Sequence, residues 1–400
     1  MTTAALKQSK KISIGPPPIS NLYFLPPISE SLELLGTSQR KLAHEINAQY
    51  GTLGKSTIDE FLKPDGGVLY STMKKGLGEK LVKAMSSKGR VLMLQSLRTN
   101  LRKRKYHVPN TLAWSSFLSA FPQDSSSKIF VMRRVDAVLS ERELLANGRS
   151  FEGTLAYAEY TADQLYKKYT LVPEDTLEWF KSEARAGTFD KSDTELTHKQ
   201  KAQLIRLYVS LRQDFYLGLL ATSGMAMIFQ KNIFPRYLSY SNTCKSMTDA
   251  TLEWIRDEFK FESWNSFGNH FAAAASNNAA ETYAKDLLKR WRKSSCNCRC
   301  KNECRCSPIA DQQIATLCKR VKSVRRDARA AGLVAVEGLQ GIRSSLIYAR
   351  AIDNLLSSIS KPFDVWDSAG DHWFQDCVTA EFRQSISRFD EYLQNYSPSV

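Results

Sequence analysis

Five cysteines, Cys296, Cys298, Cys300, Cys304 and Cys306, form the pattern C-x-C-x-C-x3-C-x-C, and Cys318 follows them. Thiolates are soft ligands for zinc, and the cations on either side of this run lower thiol pKa values and so favour the metal-bound form. A single structural zinc takes cysteines in C-x2-C pairs, whereas single-residue spacing suits a cluster in which several metals share sulfurs. The same thiols left free in a basic loop would instead oxidise or cross-link subunits. Zinc is the metal expected here. Cysteines concentrated in one place, rather than spread in pairs through the chain, point to a reducing compartment.

Cations supply the second kind of chemistry. Arg98, Arg102, Lys103, Arg104 and Lys105 close one predicted helix, and Lys289, Arg290 and Arg292 surround the indole of Trp291. Further along, the apolar residues Ile314, Leu317, Val321, Val324, Ala328 and Ala331 alternate at three and four positions, which is one stripe of an amphipathic helix. On that helix Lys319, Lys322, Arg325, Arg326 and Arg329 gather in a sector away from the stripe. Docked by its apolar side, such a helix would hold a row of cations toward a phosphate backbone.

No phosphate-binding glycine loop, G-x-S-x-G or H-E-x-x-H pattern occurs, and acids and histidines do not concentrate as a two-metal site requires. Leu53 to Thr57 reads LGKST, but Gln49 stands where a Walker loop needs its first glycine. A non-enzymatic protein is expected.

These groups must be positioned by helices. The chain has 400 residues, of which 42% are hydrophobic, enough to bury a core, and a net charge of +15 that attracts any polyanion. Its apolar periodicity predicts an all-α fold of two helical lobes behind an extended arm: residues 1–30 as the arm, 31–190 as the N-terminal domain and 191–400 as the C-terminal domain, with the Cys-rich basic loop at 289–308. Pro16, Pro17, Pro18, Pro26 and Pro27 forbid a continuous helix in the arm, and Tyr23, Phe24 and Leu25 give it something to dock with, on its own body or on a neighbouring copy. Helices are predicted at 140–146, 151–169, 173–186, 197–220, 249–259, 272–291, 333–360 and 377–396, and the run 129–139 is compatible with strand or helix. Phe215 to Phe234, too often interrupted for a membrane span, is predicted to be a buried core helix. Tyr157, Tyr160, Tyr166, Tyr169, Trp179 and Phe180 are core at helical spacing, or platforms for unpaired bases.

Residues 37–63 resemble a helix-turn-helix, which would place Lys55, Ser56 and Thr57 at a DNA groove; an ordinary helical hairpin reads the same way. The cysteine run is similar to the zinc-cluster CXC modules of DNA-binding proteins without matching their internal spacing. In composition and layout the chain is similar in general character to viral nucleoproteins. The first expectation is therefore a nucleic-acid-binding, homo-oligomeric protein that coats or packages a strand, RNA favoured over DNA, located inside the cell in cytoplasm or nucleus. The alternatives are a DNA-binding regulator or replication factor using residues 37–63 and a zinc module, and an interaction protein whose basic face meets membranes or acidic partners.

Overall fold

The computed structural model describes residues 24–26, 28–31, 44, 67–69, 105–107, 114, 118, 125–146, 153–188, 195–239, 246–258, 260–272, 288, 314, 339–360 and 373–396. Most of these residues are helical, and the strands among them form one short ribbon, in which β1 (Gly67–Leu69) runs antiparallel to β2 (Lys105–His107) with Val68 opposite Tyr106. A single helical turn, Ile28–Ser31, precedes the ribbon.

The ambiguous run at 129–139 is helix. It lies within α1 (Ser126–Ala146), whose first turn is closed by Ser125, the side chain of which accepts from Lys128 N at 3.2 Å. Next comes α2, which begins as Gly153–Tyr160, widens into a π turn at Thr161–Tyr166 and ends with Lys167–Tyr169. Pro173 and the acids Glu174 and Asp175 then open α3 (Glu174–Arg185), with carboxylates at the positive end of the helix dipole. Thr197 and Gln200 form a reciprocal capping box at the start of α4 (His198–Ala221), a pairing written in the sequence as T-x-x-Q.

The expected helix from 215 to 234 is broken in two. Thr222 Oγ1 and Ser223 Oγ donate back to the carbonyls of Leu219 and Leu220 at 2.9 and 2.7 Å, so the last turn of α4 is satisfied locally and ends there. The chain resumes as α5, comprising Ala226–Ile228, a π turn at Phe229–Ile233 and Phe234–Leu238. Pro235 has no N–H to give the preceding turn, and the wider hydrogen-bond spacing ends where it stands.

Beyond α5 lie α6 (Met247–Glu258), α7 (Trp264–Ala272), α8 (Leu339–Ser360), α9 (Trp373–Ser387) and α10 (Phe389–Tyr396). The last two were expected as one helix. A turn at Arg388 divides them; of the apolar stripe that the sequence spaces along 377–396, Val378, Phe382, Ile386, Phe389 and Leu393, the first four are buried across the division and Leu393 is half-buried.

From Leu207 to Ala221 every residue of α4 is buried, as a helix wrapped on all sides requires. Two clusters of buried side chains meet on it. One gathers Phe24, Leu25, Ile28 and Trp114 with α1, α2, α3 and most of α4; the other joins Leu217, Leu220 and Ala221 to α5, α6, α8, α9 and α10. Although it follows the expected boundary at 190, α4 thus shares a core with the helices before it. Phe24 and Leu25, the apolar centre of the Pro-rich arm, pack on their own chain. No helix among the described residues is long and apolar enough to cross a membrane.

Candidate nucleic-acid interface

Lys105 is the first residue of β2 and pairs across the ribbon with Leu69. The other cations expected to meet phosphate, Arg98, Arg102, Lys103, Arg104, Lys289, Arg290, Arg292, Lys319, Lys322, Arg325, Arg326 and Arg329, lie outside the described residues, as do Trp291 and the five clustered cysteines. Residues 37–63 lie outside them too, apart from His44, which is helical and exposed.

Two anchors bracket the cysteine-rich stretch. Leu288 and Ile314, 3% and 1% exposed, are both helical and both buried in the second core cluster. Ile314 is the first residue of the apolar stripe read from the sequence, and it does face the core. The run of cysteines and cations between these two residues in sequence lies outside the described residues.

On the described body, several surface cations are matched by acids of the same chain. Lys167 meets Glu174 at 2.6 Å, Lys181 lies between Asp163 and Glu178, and Arg185 meets Glu159 at 2.9 Å. Arg206 bridges Asp175 and Glu381, while Arg236 and Arg256 share Asp257. The hydrogen bond and charge of Glu174 raise the Lys167 pKa, and Lys167 lowers that of Glu174 in return. Counted over sequence, the described residues carry 21 Lys and Arg against 22 Asp and Glu. The whole chain carries 56 against 41, so its excess of +15 belongs entirely to the remaining residues.

One ion pair is buried outright. Arg134 of α1 and Asp214 of α4, 1% and 0% exposed, form a salt bridge through Nη2 and Oδ2. Arg134 Nη2 also donates to Tyr169 O at 2.7 Å, and Leu171 N donates to Asp214 Oδ1 at 2.7 Å. The Tyr396 hydroxyl lies 3.2 Å from Asp214 Oδ1, and the rings of Phe130, Phe24, Phe215 and Tyr396 surround the guanidinium at 4.5 to 5.9 Å. Burial pushes the Asp214 carboxyl upward, against the charge of Arg134 and the Leu171 N–H. Closed on all sides, this pair organises the fold. The sequence marks it only as charges embedded in two largely apolar runs, FVMRRVDAVL with Arg133, Arg134 and Asp136, and LRQDFYLGLL with Arg212 and Asp214.

A second carboxylate, that of the half-buried Asp353 of α8, caps α6. It accepts from Met247 N at 2.7 Å, Thr248 N at 2.9 Å and Thr248 Oγ1 at 2.6 Å. Burial raises its pKa to about 6, despite these three donors.

The aromatic residues near α2 and α3 divide. Tyr166 and Phe180 are fully buried core, so their faces are closed to a base, while Tyr169 and Trp179 pack against the same cluster half-buried. Among the described residues no three His, Cys, Asp or Glu side chains gather as a metal site. No protein-family model matches the chain, and comparison with curated proteins and with solved structures gives no match either.

Proposed function

We propose that this protein is a non-enzymatic nucleic-acid-binding protein that coats or packages a strand, RNA in preference to DNA, as a homo-oligomer. The observation carrying the proposal is where the charge lies. The described helical residues carry nearly equal numbers of cations and acids, and several of their surface cations pair with acids of the same chain, whereas the whole chain carries +15, with basic runs in its sequence at 98–105, 289–293 and 319–329. Positive charge concentrated in short runs of sequence attracts a polyanion. Zinc bound by Cys296, Cys298, Cys300, Cys304 and Cys306 belongs to the same proposal, as a staple within a stretch whose two ends are fixed in the core.

The test is fluorescence anisotropy with single-stranded RNAs of increasing length and unrelated sequence, across a salt series. Coating gives affinity that rises with length and is indifferent to sequence. Replacing Arg325, Arg326 and Arg329 by Glu should lower affinity and flatten the logarithmic salt slope by about 0.7 per lost phosphate contact. Unchanged affinity of the triple variant at low salt would refute the assignment of these arginines. Tight binding confined to particular duplexes, lost on changing Lys55 and Thr57, would favour a regulator instead. The 260/280 nm absorbance ratio and zinc content of gently purified protein report co-purifying nucleic acid and metal directly.

A further inference from the structure

The two ends of the described chain reach the same buried pair. Phe24 places its ring 5.1 Å from the Arg134 guanidinium and 6.2 Å from the rings of both Tyr166 and Tyr169. Next to it, Pro26 O accepts from Trp114 Nε1 at 2.6 Å, and Trp114 stands edge-on to Phe215, another ring around Arg134. From the other terminus, Tyr396 packs edge-on against Phe130 at 4.9 Å. Its hydroxyl lies 3.2 Å from both Tyr169 O and Asp214 Oδ1, and 3.4 Å from Arg134 Nη2.

Two residues are therefore shared. Arg134 lies against a ring from each end, and Tyr169 receives Phe24 on its ring and Tyr396 on its carbonyl. Arg134 Nη1 has no hydrogen-bond partner, and the surrounding rings, together with the Asp214 carboxylate and the Tyr169 carbonyl that both accept from Nη2, hold the guanidinium in place. Withdrawing either ring opens the cavity to water and weakens the hold on the group that the other end contacts.

We propose that the segment from Phe24 to Ser31 and α10 form one coupled latch over the Arg134–Asp214 pair, so that the two ends dock and release together. Coupling of this kind is reciprocal: whatever draws out one end loosens the other by the same factor. A partner that captures the Pro-rich arm would then also free the C-terminal helix.

Limited proteolysis of the full chain reads both ends. Chymotryptic cutting after Phe24 requires the arm to leave its seat, tryptic cutting after Arg388 requires α10 to leave, and cutting after Lys181, inside α3, reports unfolding of the body. Tyr396→Phe, which removes only the hydroxyl, should speed cutting after Phe24 by about fivefold or more, and Phe24→Leu should speed cutting after Arg388 by a similar factor. Cutting after Lys181 should stay at the parent rate. The latch is overturned if each variant speeds cutting only at its own end, or if all three bonds become susceptible in equal proportion.

Discussion

A Cβ built on Gly218 would lie 2.5 Å from Cε2 of Phe130 and 3.1 Å from Cδ2 of Tyr396. Glycine is therefore required at this position of α4 for close approach, because α1 and α10 press their rings onto the bare backbone one turn beyond Asp214. Gly218→Ala gains roughly 1 kcal/mol of helix propensity and loses more to overpacking, typically 1–3 kcal/mol. A net loss of stability is expected in urea denaturation. Combining the change with Phe130→Leu should recover part of it, since the smaller side chain vacates the space.

Removing one member of the buried pair should cost far more than removing both. Asp214→Ala leaves the Arg134 charge uncompensated among aromatic rings, and a loss of about 3–5 kcal/mol is expected. Arg134→Met with Asp214→Leu should be substantially more stable than either single variant. A double-mutant cycle from equilibrium unfolding measures the difference; additive effects would show that the pair is not coupled.

The carboxyl of Asp353 titrates higher in the folded chain, about 6, than its ordinary 3.8. The folded state therefore binds the proton at a higher pH than the unfolded state does. The resulting stabilisation is fully present below about pH 3.8 and is lost as pH rises through about 6. Relative to Asp353→Asn, which does not titrate, the parent should lose stability between pH 4 and pH 6 with a slope of at most about 1.4 kcal/mol per unit. Paired denaturation curves across that range check the sign.

Lys260 holds φ at 55°, the left-handed conformation that closes α6. Phe261 N bonds to Arg256 O and Lys260 N to Asp257 O, both at 3.0 Å, which is the Schellman arrangement with lysine at the position usually held by glycine. Lys260→Gly should therefore stabilise the chain by roughly 0.5–1 kcal/mol, visible as a rise in Tm. A fall would mean that the lysine side chain makes a compensating contact.

Much of this architecture was legible in the sequence, because its causes are local. The start of α3 is set by Pro173 with Glu174 and Asp175, that of α4 by the Thr197–Gln200 box, and the C-terminal stripe by apolar spacing alone. The +15 charge and its basic runs were legible for the same reason, and they carry the functional proposal. Helix breaks were less so. The division at Thr222 depends on hydroxyls folding back onto carbonyls, and that at Arg388 on a change of direction that brings Tyr396 to Asp214. Only the tertiary structure decided which charges are buried. Arg134, Asp214 and Tyr396 lie far apart along the chain, and no periodicity singles out Arg134 over its exposed neighbour Arg133. Burying a charge depends on the partner that neutralises it, and that partner is supplied by packing between distant helices, where local propensity has no influence.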